Sequence, residues 1–468
     1  MAPKEKIIFT CIECGYNSSK WIGKCPDCGS WNSFEETRYK KTMSKNINYV
    51  ANNVPISLDK VNEENLDRFV TGINEFDRIL GGGVVIGSLV LLGGAPGIGK
   101  STLVLQASHI CQKRVLYISG EESVSQIKIR ANRIGVNSDN IHILSTDSLL
   151  DIENAINSLS FELVIVDSIQ TVYNPEILNS AGSVSQIKDV ASSLMRLCKT
   201  KNIAIFLIGH ITKDGNLAGP KILEHIVDVV LYFEDDKGIY RIIRSFKNRF
   251  GNTSEIAVFE MTTNGLLEVK DPDKIFYDNE NSLSSGNVIS TIIEGTRALN
   301  IEVQALITKT FNSFGRRQIT GFDINRIFFL IAVLEKKLKL MFYNQDVFIN
   351  IVGGMKIKDI ALDLAVCAGI ISSYFDIILP KNIVFIGEVG LNGEIRAVSF
   401  MQERLKRMEI FGVKQLITAN FINLKQDIKS HNKSDFVNDI KNLEKSKNIK
   451  IVSLNNIQDL LIFIKKYQ

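Results

Sequence analysis

The stretch LVLLGGAPGIGKST, residues 89–102, decides the fold of the central part of this chain. It starts as an apolar run typical of a buried strand, passes through a turn of the pattern GxxxxGKS, and opens the helical stretch 102–111. This order of strand, turn and helix predicts a phosphate-binding loop rather than a chance glycine-rich turn. The residues of the loop are Gly94, Ala95, Pro96, Gly97, Ile98, Gly99, Lys100, Ser101 and Thr102.

Each part of this loop has an expected chemical role. The backbone N–H groups of residues 97–100 would bind a β-phosphate at the helix N-terminus, and Lys100 would neutralise the β- and γ-oxygens. The Ser101 hydroxyl would ligate Mg²⁺. We therefore expect ATP and Mg²⁺ as cofactors.

Short β-type runs alternate with helical stretches around the loop, at 89–92, 115–118, 163–166, 203–208 and 227–233. Such alternation predicts βαβ units, an α/β fold and a mostly parallel sheet.

Length and polar seams divide the 468 residues into several parts. They are a cysteine-rich segment 1–40, a linker 41–60, a segment 61–270, a linker 271–285 and a segment 286–468.

Four polar residues follow apolar runs and are expected at the carboxyl edge of the sheet, where ligands of such folds bind. Asp167 fits a carboxylate that holds magnesium, with a helix N-cap as the alternative. Glu121 is expected to position or deprotonate the attacking water, with Glu122 as the second candidate and a solvated surface pair as the alternative. His210 could sense the γ-phosphate, although a core histidine fits the spacing equally well.

Two CxxC pairs near the N-terminus are Cys11 with Cys14 and Cys25 with Cys28. Two such turns supply four thiolates for tetrahedral Zn²⁺ with no open position, which predicts a structural zinc. A redox-active dithiol is the alternative, but it lacks the βαβ context that such a motif requires. Zinc would replace the hydrophobic core that so short a segment cannot form.

The composition, 45% hydrophobic and 23% charged, is that of a folded protein with sizeable cores. A net charge of +4 is too small for the whole chain to coat nucleic acid, so DNA binding would need local patches. No apolar stretch reaches the roughly 18 residues of a membrane span, and the first residues lack a secretory signal. We therefore expect a cytoplasmic protein with no membrane partner.

A short basic cluster, residues 244–249, follows a strand-like run and includes Lys247 and Arg249. A solvated basic edge is the simplest interpretation. Two other roles compete with it. One is a charge that reaches the γ-phosphate of a neighbouring subunit, and the other is a phosphate contact with DNA.

Five motifs, taken in order, resemble the bacterial RadA (Sms) recombination and repair family. They are the four-cysteine finger, GGAPGIGKST, YISGEES, GHITKDG and KNRFG, residues 247–251. The resemblance extends over essentially the whole chain and implies a RecA-like ATPase core and a hexameric ring of identical subunits. It also implies action on single-stranded or branched DNA, with a RecA-type recombinase as partner. In related rings basic residues reach the nucleotide of the next subunit, so Lys247 and Arg249 are the candidates for that role.

Segment 286–468 resembles the proteolytic domain of Lon, as the third domain of the RadA family does. Aligning the Lon motifs puts Asp363 at the serine position and Gln402 at the lysine position. A Ser-Lys dyad needs a hydroxyl nucleophile and an amine that can lose its proton, so we expect no peptidase activity. A scaffold or DNA-binding role is left. The candidate phosphate contacts, or alternatively a merely solvated basic face, are Lys356, Lys358, Arg316 and Arg317.

The motifs and the resemblance together predict a DNA-dependent ATPase of recombinational repair. It would couple ATP hydrolysis to movement along DNA, as a helicase or in branch migration. The alternative from another class is a nucleotide-switched clamp or loader without motor activity. An ATP-dependent protease is a third interpretation, which Asp363 and Gln402 oppose.

Overall fold

A computed structural model describes residues 6–39, 57, 67–210, 222–234, 239–276, 284–311, 315–352, 357–420 and 449–468. The chain divides into two units, Met1–Val269 and Lys270–Gln468. Most of the expected linker 41–60 lies outside the described residues. The expected linker 271–285 begins within the second unit as the helix Asp273–Phe276, whose Phe276 is buried.

The N-terminal segment folds as a three-stranded antiparallel sheet. Strand β1 (Lys6–Cys11) lies between β2 (Asn17–Ser18) and β3 (Phe34–Tyr39). This cysteine-rich segment packs on the rest of the first unit, because Lys188 Nζ donates to the Gly15 carbonyl at 2.7 Å.

Nine further strands form the central sheet of the first unit. They are β6 (Leu89–Gly94), β7 (Val115–Ser119), β8 (Ile141–Ser145), β9 (Leu163–Asp167), β10 (Ala204–His210), β11 (Val229–Glu234), β12 (Tyr240–Asn248), β13 (Ile256–Thr262) and β14 (Gly265–Glu268). Their order is β14-β13-β12-β11-β6-β10-β9-β7-β8. The strands from β11 to β8 in this order run parallel, whereas β12, β13 and β14 are antiparallel. A separate short pair is β4 (Arg68–Phe69) with β5 (Val84–Val85).

Helices cover both faces of this sheet. They are α1 (Asn74–Ile79), α2 (Lys100–Ile110), α3 (Val124–Arg133), α4 (Leu149–Ser158), α5 (Val184–Lys201) and α6 (Ile222–Ile226). Along β6, Val90 and Leu92 join one apolar core with α2 and α3, whereas Leu89 and Leu91 join a second core with α4 and α5. Side chains alternate between the faces of a strand, so both faces of β6 are buried. The predicted α/β fold is confirmed.

All five runs that the sequence predicted as strands lie in this sheet, and β6 extends beyond the predicted end to Gly94. Strand β8 was not predicted from the sequence. Its residues are at most half-buried because β8 lies at the edge of the sheet and pairs with β7 alone, so its apolar signal is weak.

The second unit is built on a seven-stranded mixed sheet. Its strands are β15 (Asn287–Glu294), β16 (Arg297–Lys309), β17 (Arg317–Thr320), β18 (Gln345–Ile351), β19 (Ile383–Ile386), β22 (Gln415–Ala419) and β23 (Lys450–Leu454). Their order is β17-β18-β16-β15-β19-β22-β23. A separate pair is β20 (Glu388–Val389) with β21 (Ile395–Arg396).

The α-helices in the described part of the second unit are α7 (Asp273–Phe276), α8 (Ile324–Leu338), α9 (Asp363–Phe375), α10 (Met401–Phe411) and α11 (Ile457–Ile464). A 3₁₀ turn, Ile360–Leu362, directly precedes α9. This mixed α/β unit is compatible with the Lon-like domain, which stays a prediction.

Candidate nucleotide site and zinc centre

The glycine-rich turn joins β6 directly to α2. Gly97 and Gly99 have φ angles of +76° and +114°, which side chains other than hydrogen rarely allow. Gly99 is the N-cap of α2, and a β-carbon there would lie 2.7 Å from the Cε atom of Met261. The glycines thus let the backbone reach the helix N-terminus, where free N–H groups bind anions.

Lys100, the first residue of α2, is 4% exposed. Its Nζ donates to the carbonyls of Gly94 at 2.8 Å and Ala95 at 2.9 Å, and lies 3.4 Å from Nδ1 of His210. Desolvation lowers the pKa of Lys100 to about 8, although the charges of Asp167 and Glu121 oppose this shift. The ammonium group is therefore a buried positive charge whose direct contacts are neutral groups.

Asp167 ends strand β9, and the next helix begins only at Val184, so the alternative role of a helix N-cap is excluded. The hydroxyl of Tyr117, on the neighbouring strand β7, donates to Oδ2 of Asp167 at 2.6 Å. Burial and the nearby carboxylate raise the pKa of Tyr117 well above its usual value, so the phenol keeps its proton. Tyr117 thereby fixes one oxygen of Asp167 and leaves Oδ1 for other ligands.

Glu121 and Glu122 have different partners. Oε1 of Glu121 accepts from Ser168 Oγ at 2.6 Å and lies 3.3 Å from Nε2 of His210. Nδ1 of the same ring lies 3.4 Å from the Lys100 ammonium, so His210 stands between Lys100 and Glu121. Glu122 is instead paired with Arg130 on α3. The geometry thus connects Glu121, rather than Glu122, to Lys100 through His210.

A cavity of about 460 Å³ opens over the loop, and all its lining residues belong to the first unit. Among them are Lys100, Ser101, Glu121, Asp167 and His210. The structure therefore brings together at one edge of the sheet the residues that the sequence analysis placed there from four separate strand ends.

The sequence analysis missed other residues that line the cavity: Arg130, Arg133, Arg241 and Met261. Arg130 and Arg133 lie one turn apart on α3, so helical spacing after the glutamate pair was a usable signal. Arg241 comes from β12, and its Nε donates to the carbonyl of Ile98 at 3.2 Å. No local pattern could have connected Arg241 with the loop, because the two meet only through the order of the strands.

The donor set of the cavity fits ATP with magnesium. Mg²⁺ prefers oxygen ligands, which the Ser101 hydroxyl and Oδ1 of Asp167 offer, and usually keeps water and phosphate oxygens as its other ligands. The helix N-terminus and the Lys100 ammonium together provide positive potential for the phosphates.

The four cysteines form the zinc centre that their spacing predicts. Their sulfur atoms all lie within 4.8 Å of one another, with Cys11 and Cys28 3.7 Å apart and Cys14 and Cys25 3.5 Å apart. Four thiolates at about 2.3 Å from a tetrahedral Zn²⁺ would be about 3.8 Å apart, so the set fits this ion with no open position.

Lys247 and Arg249 are not among the residues that line the cavity. Lys247 Nζ donates to the carbonyls of Glu224 at 2.6 Å and Val227 at 2.8 Å, at the end of α6. Desolvation, followed by the charge of Arg249, lowers the pKa of Lys247. The Lys247 ammonium is therefore engaged by helix carbonyls of its own subunit.

Arg249 remains more accessible, with a side chain that is 55% exposed and an Nη1 atom 3.2 Å from Oδ1 of Asp228. Oδ2 of Asp228 accepts from the N–H of Leu89, the first residue of β6. Arg249 thus lies at the amino edge of the sheet, opposite to the edge that carries the loop.

In the second unit, Asp363 is the first residue of α9 and is fully buried. Arg326 Nε lies 3.1 Å from Oδ1 of Asp363, and the N–H of Val389 donates to Oδ2 at 3.1 Å. Desolvation raises the pKa of Asp363, although Arg326 opposes the shift. Gln402 is the second residue of α10. The two positions that the Lon alignment assigns to serine and lysine thus hold a paired carboxylate and an amide.

The candidate phosphate contacts of the second unit differ in their partners. Arg316 forms an ion pair with Asp346 at 2.8 Å. Arg317 donates to the carbonyls of Gln345 at 2.6 Å and Phe342 at 2.7 Å. Lys358 is exposed, and Lys356 lies outside the described residues.

The fold and the site define a P-loop ATPase that carries an N-terminal zinc ribbon. In agreement with this class, residues 60–216 match the family model of the AAA domain, and residues 9–36 match that of the rubredoxin metal binding domain. No helix in the described part of the chain is long and apolar enough to span a membrane.

Several relatives over most of the chain are named DNA repair protein RadA. The relative from Bacillus subtilis is 47% identical over 429 residues, which cover 88% of this chain and 92% of the relative. The one from Campylobacter jejuni is 46% identical over 425 residues, covering 89% and 94%. This chain belongs to the RadA family of DNA repair proteins. A solved KaiC-like protein from Pyrococcus horikoshii aligns with 44% of this chain and 99% of its own at 20% identity and a TM-score of 0.38, too low to support a conclusion.

Proposed function

We propose that this chain is a DNA-dependent ATPase of recombinational repair that binds single-stranded or branched DNA and couples ATP hydrolysis to movement along it. The observation that carries the proposal is the convergence of Lys100, Glu121 and Asp167 on one cavity. A fixed cation, a carboxylate for magnesium and a second carboxylate for the attacking water are the parts that phosphoryl transfer to water requires.

Each residue then has one role in hydrolysis. Lys100 and the N–H groups at the start of α2 would hold the phosphates, and Ser101 and Asp167 would hold magnesium, which would neutralise charge on the phosphate oxygens. Glu121 accepts the proton of the attacking water. Its carboxylate is held by the hydroxyl of Ser168 at 2.6 Å and by His210 at 3.3 Å. His210 contacts both Lys100 and Glu121, which suits a sensor of the γ-phosphate.

Arg249 acts, in this proposal, on the nucleotide of a neighbouring subunit or on DNA. The Asp228–Arg249 pair lies at Leu89, the first residue of β6, and the loop begins at Gly94, the last. Five steps along the strand separate these two residues by roughly 17 Å. That distance is too long for Arg249 to reach the phosphates bound by its own subunit. Lys247 serves as a positioning residue for α6, because the end of this helix already binds its ammonium.

A trans-acting arginine requires an assembly, and we propose a homo-hexameric ring in the cytoplasm that works with a RecA-type recombinase. The names of the relatives supply DNA repair as the setting.

The test is the rate of ATP hydrolysis with and without single-stranded DNA, together with strand displacement on a forked duplex. We expect stimulation and displacement. Stimulation without displacement would favour the clamp or loader, and a rate indifferent to DNA would contradict both.

The role of Arg249 has its own test in mixed rings. Rings assembled from Arg249→Ala and Glu121→Gln subunits contain some interfaces that pair two intact halves, so they should recover activity if Arg249 acts in trans. If well-mixed rings recover no ATPase activity, the trans role is excluded and the contact with DNA is the remaining role of Arg249.

A further inference from the structure

The zinc ribbon exposes both tryptophans of the chain, Trp21 and Trp31. They are 54% and 71% exposed, although tryptophan is highly buried on average. The ribbon does not depend on these rings for a core, because its four cysteines, of which Cys11 and Cys25 are buried, are placed to bind the zinc that would hold the fold together. Two large aromatic side chains are thus left facing solvent.

The two indole rings are neighbours on one surface. A β-carbon at Gly23 would lie 3.9 Å from the ring of Trp21 and 4.0 Å from that of Trp31. Lys24 pairs with Trp31 across a hairpin, and its Nζ lies 5.5 Å from the centroid of the Trp31 ring. We call this set, Trp21, Gly23, Lys24 and Trp31, the tryptophan surface.

We propose that the tryptophan surface stacks the bases of single-stranded nucleic acid. Every base offers a π-face to an aromatic ring whatever its sequence, and a nearby cation contacts the backbone phosphate. The inference rests on the function proposed above in one respect, that the strand is DNA. It gives the zinc ribbon a contact with the strand that is separate from the ATPase cavity.

The position of Lys24 beside the Trp31 ring favours nucleic acid over a protein partner. Apart from the cysteines, the charged residues between positions 18 and 33 are Lys20, Lys24 and Asp27. Lysine is depleted in protein–protein interfaces, whereas single-strand binding grooves combine aromatic rings with cations. Because the cations are few, stacking supplies most of the affinity, and the contribution of this surface depends only weakly on salt.

The test uses the intrinsic fluorescence of the full, zinc-loaded chain, since Trp21 and Trp31 are its only tryptophans. Titration with a thymidine oligonucleotide, in the presence of a non-hydrolysable ATP analogue, should quench the emission to a plateau. Trp31→Ala should weaken binding about tenfold, and Trp31→Phe should keep most of the affinity because a ring remains. Lys24→Ala should reduce the slope of log affinity against log salt by about 0.7, the value for one phosphate contact.

The matched control is Ile129→Ala, which removes an exposed apolar side chain on α3 and should bind like the unmodified chain. All variants should keep their zinc and their DNA-independent ATPase rate, because none of them lies in the cavity. If Trp31→Ala loses zinc, the inference is tested instead by the quenching of the unmodified chain and by the DNA affinity of Trp31→Phe.

Three outcomes oppose the inference. Stimulation of ATP hydrolysis by DNA, with neither quenching nor weaker binding by Trp31→Ala, overturns it and leaves the proposed function standing. Quenching by a recombinase but not by the oligonucleotide assigns the surface to a protein partner and also overturns it. Absence of both stimulation and quenching contradicts the inference and the proposed function together.

Discussion

Lys100 and Asp363 are both first residues of helices, and both are buried, but their charges are satisfied differently. The ammonium of Lys100 contacts two carbonyls and an imidazole nitrogen beside an open cavity. The carboxylate of Asp363 is paired with the guanidinium of Arg326 and a backbone N–H. A charge left without an ionic contact can serve a ligand, whereas a compensated one can only hold the fold.

The comparison explains why only one of these sites has chemistry to offer. A buried ion pair costs desolvation on both sides, and its attraction mainly offsets that cost. The carboxylate of Asp363 is engaged by Arg326 and the N–H of Val389, so it offers neither a nucleophile nor a base. At Lys100 the lowered pKa records the unfavourable burial of a charge that bound phosphates would compensate.

The largest expected effect is a loss of stability when the guanidinium of Arg326, which compensates the charge of Asp363, is removed. Arg326→Ala should destabilise the second unit by about 3–5 kcal/mol, because it leaves the Asp363 carboxylate buried without its cation. Calorimetric or denaturant unfolding of the full chain measures this loss.

The control for Arg326→Ala is the double variant Arg326→Leu with Asp363→Leu, which removes both charges and should be far less destabilised. The loss of stability caused by Arg326→Ala should also depend on pH. Without Arg326 the pKa of Asp363 rises further, so the deficit of Arg326→Ala should shrink as the pH falls and the carboxyl binds a proton. A deficit that is independent of pH and equal in the double variant would contradict the ion-pair account.

Removing the charged side chain of Lys100 from the nucleotide cavity should lower the rate of ATP hydrolysis and leave the fold intact. Lys100→Ala should lower ATP turnover by at least about 10²–10³-fold, equivalent to about 2.7–4 kcal/mol, because it removes the buried cation at the helix N-terminus. Two of the other cations that line the cavity are already engaged, Arg130 by Glu122 and Arg241 by the carbonyl of Ile98. Phosphate release at saturating ATP is the readout. Lys113→Ala, at a half-buried lysine that is paired with Glu162 and does not line the cavity, is the control and should keep its activity. Near-normal turnover by Lys100→Ala would refute the loop assignment.

The sequence predicted those parts of the two sites that depend on residues close together in the chain. The loop 94–102 and the four zinc ligands could be identified because spacing alone defines their geometry. The Tyr117–Asp167 hydrogen bond joins residues 50 apart on neighbouring strands, so it depends on a strand order that periodicity does not reveal.

The basic cluster, residues 244–249, also shows what the sequence alone cannot predict. The sequence reports the charges of Lys247 and Arg249 equally, but only tertiary structure distinguishes an ammonium bound by helix carbonyls from an exposed guanidinium. Arg326 was missed for the same reason, since nothing near it in sequence indicates a carboxylate on another helix.

The uncompensated state of Lys100 also predicts a pH dependence of nucleotide binding. Its pKa of about 8 in the free protein means that the ammonium loses its proton above this pH, whereas bound phosphates favour the charged form. ATP affinity should therefore fall as the pH rises above 8, by at most about tenfold per pH unit. Lys100→Arg keeps its charge and should bind with a flat profile between pH 7 and about 9.5. An equal decline in both proteins, followed with a fluorescent ATP analogue, would assign the titration to another group.

The smallest expected effect concerns the carboxylate of Asp167. Its partner is the neutral hydroxyl of Tyr117, whereas the partner of Asp363 is the cation of Arg326. Tyr117→Phe removes the hydroxyl that donates to Oδ2 of Asp167 at 2.6 Å and leaves the apolar ring in place. A hydrogen bond to a charged group contributes about 1.5 kcal/mol or more, so the Mg²⁺ concentration for half-maximal ATPase rate should rise about tenfold. The maximal rate should change less, since magnesium in excess restores the site.

The control for this position is Tyr232→Phe, which removes a similar hydroxyl that donates to the carboxylate of Glu224 at 2.7 Å, outside the residues that line the cavity. It should leave the magnesium requirement unchanged. Because the pKa of Tyr117 lies well above its usual value, the phenol donates throughout the working pH range, and the difference between the two variants should not vary with pH. A lower maximal rate with an unchanged magnesium requirement would show that Tyr117 supports packing alone, and Asp167 would then not depend on a donor to hold its metal-facing oxygen in place.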